Sequence, residues 1–276
     1  MTTAPANHIP VLVEKVIEAL APVDGAVMVD ATYGGGGYAR AVLAVANCTV
    51  LAIDRDPDAM ERAWAHAGKD PRLVPASGRF AELESIARAS SAADAVNRLT
   101  EGELADIFHF LGEEPQARRV ARGIVHRRRS QPFETTLDLA ATIEKSLGGR
   151  RGKPTHPATR SFQALRMWVN DETGELVKAL SSAERVLKPG GRLVDVTFHS
   201  IEDRIVKTFL RDRSGHAPGA SRHLPGQPKG AAPSFEVLQR KPVEPSEAET
   251  EANPRSRSAR LRWALRTEAA AWPEKA

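Results

Sequence analysis

The chain has 276 residues, 41% hydrophobic and 27% charged, with 39 Lys and Arg against 35 Asp and Glu, a formal net charge of +4 and a pI near 9.4. That length can bury a sizeable core and suits one large domain with an insertion. No run approaches the ~20 apolar residues of a membrane span, "MTTAPANHIP" lacks the charged head and apolar middle of a signal peptide, and the single cysteine, Cys48, excludes a disulfide framework or a Cys-based metal site, so the expected location is the cytoplasm.

In chain order, "AVMVDATYG", "TVLAIDRD" and "RLVPASG" are short apolar runs that end in turn residues, and each reads as a β-strand. "YARAVLAVA" and "PDAMERAWAHA" between them read as helices, which makes an α/β start. Cys48, just ahead of the second strand, reads as a small residue at the edge of the core rather than a thiol nucleophile. From Phe80 to about Lys188 no comparable β-rich run occurs. Amphipathic helical patterns take over in "EGELADIFHFLG", "QARRVARGIVHRR", "TLDLAATIEKSL" and "ATRSFQALRMWVN". In the last of these Phe162, Leu165 and Val169 form the core stripe.

Strands resume at "GRLVDVTFHS", "SFEVLQRKPVE" and "ARLRWALRTE". In the last, Leu261, Trp263 and Leu265 alternate with Arg260, Arg262 and Arg266, so one face is expected apolar and the other basic. The stretch "RSGHAPGASRHLPGQPKGAAPS" is too rich in Pro, Gly and Ser for a core segment and is expected to be a surface loop. The expected organisation is an α/β domain over 1–92 and 176–276, interrupted by a helical domain over 93–175.

Four glycines, Gly34 to Gly37, follow the first strand and precede the first α/β helix. Such a turn lets a nucleotide-bearing ligand approach the backbone, and an acid about 20 residues on can bind a ribose hydroxyl. Asp54, at the end of "TVLAID", is placed for that task. The glycines by themselves leave a nicotinamide dinucleotide and S-adenosylmethionine both open. The turn starts from Asp30 and lacks regular GxGxxG spacing, which leans towards S-adenosylmethionine. None of the eight histidines forms a ligand-spaced cluster, and no metal is expected.

Basic residues cluster. Helical spacing on "QARRVARGIVHRRR" puts Arg118, Arg122, His126 and Arg129 along one face, a stripe suited to phosphates, although a merely solvated face gives the same pattern. Arg160 and Arg166 in "ATRSFQALRMWVN", and Arg255 and Arg257 in "NPRSRSARLR", supply two further basic surfaces. At the end of "RLVDVTFHS", His199 and Ser200 are polar groups at a strand tip. Ser200 with Asp203 three residues on reads as a capping box, while His199 is open to capping or to catalysis.

The strings "HIPVLVEKVIEAL", "DATYGGGGYARAVL", "LAIDRDPDA", "GRFAEL", "GEEPQARRVARGIV", "HPATRSFQALRMWVN", "LKPGGRLVDVTFHSIEDRIVK" and "ANPRSRSARLRWALR" together resemble the bacterial 16S ribosomal RNA cytosine-N4 methyltransferase family, MraW or RsmH, in order over most of the chain. The resemblance implies a Rossmann-like class I S-adenosylmethionine-dependent methyltransferase sheet with an inserted helical domain for RNA recognition. It implies S-adenosylmethionine as cofactor and 16S rRNA or the small ribosomal subunit as partner, with methylation of a cytidine N4 amine in the decoding region. Carried over by position, Gly36, Gly37 and Tyr38 become cofactor-turn contacts, Asp54 the ribose acceptor and Phe80 a contact near the adenine. Phe80 taken alone reads as a core residue, and the family often has a histidine at the place of Tyr38.

One departure stands out. Family members follow the "GRFAEL" helix with a strand ending in an Asp-Leu-Gly-Val-Ser-Ser-like stretch and a loop resembling Gly-Pro-Leu-Asp-Met-Arg. Here residues 81 to 105 contain no β-run with such a tip, as though a segment had been lost after about residue 88. That strand would be central, beside the first. Its loss is expected either to leave two half-sheets or to bring the first strand against "RLVDVTFHS". Two functional classes follow: an active rRNA methyltransferase, with His199 as the remaining polar candidate for catalysis, or a weakly active or non-catalytic relative that binds the cofactor and rRNA.

Overall fold

The computed structural model describes residues 10–54, 56–76, 92–150, 155–169, 171–215 and 231–273. By its internal contacts the chain forms two units, 1–80 with 176–276, and 81–175.

The first unit opens with helix α1 (Val13–Leu20), then β1 (Val27–Asp30), α2 (Gly37–Val45), β2 (Thr49–Ala52), α3 (Pro57–Ala67) and β3 (Leu73–Pro75). The three strands form a parallel sheet in the order β1-β2-β3, with Val29 opposite Leu51 and Leu51 opposite Val74. Alternation puts Met28, Val50, Ala52 and Leu73 on the face under α2 and α3, where they pack with Tyr33, Val42, Leu43, Met60 and Ala63. The opposite face is bare: Val27 is 65% exposed, Val29 47% and Val74 41%. Asp56 caps α3 by accepting from Asp58 N, and Pro57 at the first helical position needs no donor.

The helical unit holds α4 (Ala92–Arg98), α5 (Glu101–Phe110), α6 (Ala117–Arg128), α7 (Thr136–Ser146) and α8 (Thr159–Val169). Thr100 and Glu103 form a reciprocal capping box on α5, and Thr135 caps α7. Its core is continuous through Leu104, Phe108, Val120, Ile124, Leu139, Ile143, Ala164 and Leu165, with Phe162 partly buried against it. Asn97 ties the α6–α7 connection by exchanging two hydrogen bonds with the backbone of Phe133 (2.8 and 3.0 Å). The boundary at 175–176 falls within α9 (Glu172–Val186).

The rest of the first unit contains β4 (Arg192–Thr197), α10 (Ser200–Arg213), β5 (Phe235–Glu236), α11 (Glu247–Ala252), a 3-10 turn (Pro254–Ser258) and β6 (Arg260–Arg266). These strands form a separate antiparallel sheet in the order β4-β6-β5. The run "SFEVLQRKPVE" is therefore only two residues of strand, plus a single bridge between Val243 and Leu261. Of the two outcomes expected for the missing strand, the half-sheets are what the structure has: among the described residues β1 pairs with β2 alone and β4 with β6 alone. Helix α1 and the residues just before it span them: Val11, Leu12, Val16 and Ala19 are buried with Val194, Val196, Leu261 and Trp263, while Ile17 and Leu20 pack against the core of the first sheet. Arg192 reinforces this by donating to Ala19 O (3.0 Å).

The alternation of β6 is present, but its arginine face is not a basic surface. Arg262 forms a two-pronged pair with Asp203 of α10 (2.7 and 3.1 Å). Arg266 is 8% exposed and donates to the carbonyls of Glu184, Ser234, Thr267 and Ala269. α9 and α10 cover this side with Leu180, Val206, Phe209 and Leu210. A buried guanidinium is tolerated because its donors are satisfied, and these arginines tie strand to helix and to the C-terminal segment.

Candidate cofactor turn and basic surfaces

The turn after β1 is fixed from three sides. Tyr33 N donates to Ile53 O (3.1 Å) and Ile53 N to Asp30 O (2.8 Å), so the tips of β1 and β2 stay in register beyond their last paired residues. Asp54 Oδ2 accepts from Gly34 N (2.8 Å) and its Oδ1 from Asp56 N (2.9 Å). Arg62 of α3 donates to Gly34 O (3.2 Å) and Arg40 of α2 to Gly35 O (2.7 Å).

Two of the glycines are sterically required. Gly36 has φ 71°, and a Cβ there would lie 2.4 Å from Tyr33 Oη. A Cβ on Gly37 would lie 2.7 Å from the Pro10 ring. Tyr33 itself is buried beneath the turn and its hydroxyl meets His66 Nδ1 (3.0 Å). Burial lowers the pKa of His66, and the nearby Arg40 charge adds to the shift.

Asp30 closes β1. Its Oδ1 accepts from Thr32 N (3.2 Å), while Oδ2 is buried without a hydrogen-bond partner. Burial pushes its carboxyl above the ordinary range and the Asp54 charge adds to this, opposed by the Thr32 and Ala39 amides. A buried, half-satisfied carboxylate is costly unless a cation or donor joins it. A ligand with an ammonium group meets that need, and the start of α2 offers N–H groups to a carboxylate. The amino-acid end of S-adenosylmethionine carries both groups, so these residues fit that cofactor.

Tyr38 faces elsewhere. Its hydroxyl donates to Val11 O (2.7 Å), and its pKa is pushed up to about 12 by burial, with Asp30 and Glu249 adding. Only its backbone belongs to the turn. Phe80 lies outside the described residues. Sequence reasoning missed Tyr33, Arg40 and Arg62, whose contacts arise only when the two strand ends meet.

At the tip of β4, the expected capping residue shifts by one. His199, not Ser200, is the N-cap of α10, its Nδ1 accepting from Glu202 N (3.4 Å). Nε2 lies 2.9 Å from Glu202 Oε1, off the line of a hydrogen bond. Glu202 also accepts from Phe198 N (3.1 Å), one residue ahead of the cap, while Asp203 is committed to Arg262. Ahead of it, Asp195 is pushed up to about 7 by burial, Glu202 and Asp203 adding.

The α6 stripe is exposed as the periodicity requires: Arg118, Arg122, His126 and Arg129 face solvent while Val120, Ala121 and Ile124 are buried. Arg122 lies 3.4 Å from Glu101. Arg127 and Arg128 turn inward, to Asp138 (2.6 Å) and Val96 O (2.8 Å). Arg160 is exposed and donates to Glu113 O (3.0 Å), whereas Arg166 is paired with Glu172 (3.0 Å). Arg255 and Arg257 are exposed on the 3-10 turn of the other unit.

The model of the MraW methylase family matches this sequence in two parts, residues 5–90 and 82–267. The chain is 50% identical over 309 residues to a Hyphomonas neptunium protein named ribosomal RNA small subunit methyltransferase H, covering 96% of this chain and 90% of the relative. Proteins of the same name from Caulobacter vibrioides and Rhizobium etli are each 48% identical, over 312 and 310 residues, covering 99% and 97% of this chain and 99% and 89% of theirs. Each alignment is longer than the 276-residue chain, so the relatives carry residues with no counterpart here. The two family matches overlap at 82–90, beside the point after about residue 88 where the sequence reads as though a segment had been lost.

Proposed function

Since the chain belongs to the MraW methylase family, we propose that it uses S-adenosylmethionine to methylate the exocyclic N4 amine of a cytidine in the decoding region of 16S rRNA, in the cytoplasm. The observation that supports the cofactor part best is the pairing of a braced glycine turn with the buried, unpartnered Oδ2 of Asp30.

S-adenosylmethionine supplies a methyl group made electrophilic by its sulfonium. Cytosine N4 is a poor nucleophile because its lone pair is delocalised into the ring, so much of the acceleration comes from in-line placement, where effective molarities of ~10⁵ M or more are attainable. In this reading Asp30 and the start of α2 hold the amino-acid end of the cofactor, and Asp54 offers its remaining lone pairs to the ribose. Tyr33, Arg40 and Arg62 keep the turn in shape. Arg118, Arg122, Arg129 and Arg160, with Arg255 and Arg257, meet RNA phosphates. Arg166 contributes if phosphate displaces Glu172. A base methylated at its amine must leave its stack, and unpaired rRNA loops offer such bases. His199 serves as the base only if it leaves its capping contact.

The two separate half-sheets favour a second reading, a relative that binds cofactor and rRNA but turns over weakly. Methyl transfer from labelled S-adenosylmethionine to small subunits lacking the modification, with cofactor binding measured in parallel, separates the two. Binding with turnover supports the first reading, and binding without turnover supports the second. Absence of cofactor binding contradicts both.

A further inference from the structure

Residues 10–12 lie across the first turn of α2 as a saddle, and each of the three makes one specific contact. Pro10 packs against Gly37, where a Cβ would come within 2.7 Å of its ring. Val11 O accepts from Tyr38 Oη (2.7 Å). Leu12 N donates to Glu249 Oε1 (2.6 Å), a residue 237 positions away on α11.

Leu12 is a buried β-carbon-bearing residue held at φ 54°, ψ 29°, in the left-handed region that disfavours such side chains. Such conformations persist where their surroundings over-determine them, and they gather at ligand sites. Here the Glu249 carboxylate is one determinant, beside the Val16 N–H that donates to Leu12 O (2.8 Å), and its charge is also felt at the Tyr38 phenol. Without it the Leu12 amide is buried and unsatisfied, Leu12 can relax towards an ordinary conformation, and the Val11 carbonyl swings away from Tyr38. The turn would then lose its support on the side away from Asp54.

We propose that Glu249 is a positioning residue for cofactor binding, acting through Leu12, Val11 and Tyr38 on the Gly36–Tyr38 turn. The inference rests on reading that turn as the cofactor site. Helix α11 runs directly into the 3-10 turn that carries Arg255 and Arg257, so a general collapse of α11 would also weaken RNA binding, whereas loss of one hydrogen bond would not.

The test is calorimetry of S-adenosylmethionine binding to the full chain, with thermal melting and RNA affinity measured alongside. Glu249→Ala is expected to weaken cofactor binding about tenfold with RNA affinity unchanged. Glu249→Gln, which keeps an acceptor oxygen, should return binding to within about threefold of wild type. Tyr38→Phe should weaken binding by a similar factor, and the double variant should lose little beyond either single, because both break one path. If Glu249→Ala does not fold, Glu249→Asp, one methylene short of Leu12 N, takes its place in the cycle. Unchanged affinity in these variants beside a wild type that binds, or fully additive losses, overturns the inference alone. A wild-type chain that does not bind S-adenosylmethionine overturns the cofactor reading and the inference together.

Discussion

Asp54 accepts from the amide of Gly34 across 2.8 Å, so the acid two residues past β2 is also the strut of the turn that follows β1. Asp54→Ala therefore removes the proposed ribose acceptor and loosens the glycine turn at once. A charge-assisted hydrogen bond is worth about 1.5–3 kcal/mol, and S-adenosylmethionine affinity should fall roughly ten- to a hundredfold. Asp54→Asn retains one acceptor oxygen and should fall between. Calorimetry checks both; wild-type affinity in Asp54→Ala would remove the residue from the site.

The glycines should not be equivalent. Gly36 has φ 71° and the Tyr33 ring behind it, whereas nothing lies within 4 Å of a Cβ on Gly35 and its φ is not positive. Gly36→Ala should destabilise by about 2 kcal/mol or more, and Gly35→Ala by less than about 1 kcal/mol. Urea midpoints of the two variants test the difference, and equal midpoints would show that the Tyr33 packing does not constrain the turn.

Asp195 sits opposite Arg262 in the β4–β6 ladder, but that guanidinium is committed to Asp203. The carboxyl is pushed up from 3.8 to about 7. The folded chain thus holds a proton that the unfolded chain releases near pH 4, so this residue lowers stability progressively as pH rises from about 4 to 7, and fully above 7. The penalty at pH 8 is on the order of 4 kcal/mol. Asp195→Asn should be more stable than wild type at pH 8 and much closer to it at pH 4.5. An Asp195→Asn stability difference that does not change between those pH values would show that the carboxyl is not held above its ordinary range in the folded chain.

On α6, neutralising Arg118, Arg122 and Arg129 together should flatten the dependence of log RNA affinity on log salt by about 0.7–0.9 for each phosphate that an arginine no longer neutralises. Arg122 shares its charge with Glu101 and should contribute least. Filter binding across a salt series measures the slope, and an unaltered slope returns the stripe to a solvated face.

How far the sequence could be read depended on the range of the interactions. α5 through α8 were legible because period and caps are local: Thr100 and Glu103 lie three apart and form the box that their spacing suggests. The glycine turn was legible for the same reason. β6 was half legible. Its alternation is local, but the partners of Arg262 and Arg266, namely Asp203 and the carbonyls at 184 and 234, come from distant segments, so charge alone suggested solvent where the structure has an interior tie. The Ser200 cap failed by one residue because His199 is also an acceptor and takes the capping position itself, leaving Ser200 as the first residue of the helix. Tyr33 under Gly36 and Glu249 on Leu12 had no sequence signal, since neither contact follows from spacing.

The two half-sheets give the last prediction. Three paired strands under helices can persist alone, which explains how β1-β2-β3 and β4-β6-β5 both form. Val27 and Val29 nonetheless remain 65% and 47% exposed on β1, a strand that among the described residues has a partner on one side only. Since β1 still delivers Asp30 and the glycine turn, cofactor binding should survive. Turnover should be slow, because among the described residues no strand pairs with the open side of β1 to bring a polar tip between cofactor and amine, and one well-placed transition-state contact is commonly worth ~2.7–4 kcal/mol, or 10² to 10³ in rate. Grafting the extra segment of the Hyphomonas neptunium relative within 82–90, where the two family matches meet, should restore methyl transfer to small subunits and raise the melting temperature. The ungrafted chain should bind S-adenosylmethionine yet run at least a hundredfold slower than that relative, by the same transition-state factor. Comparable turnover by the two proteins would show instead that groups already present, His199 released from its cap among them, suffice for the chemistry.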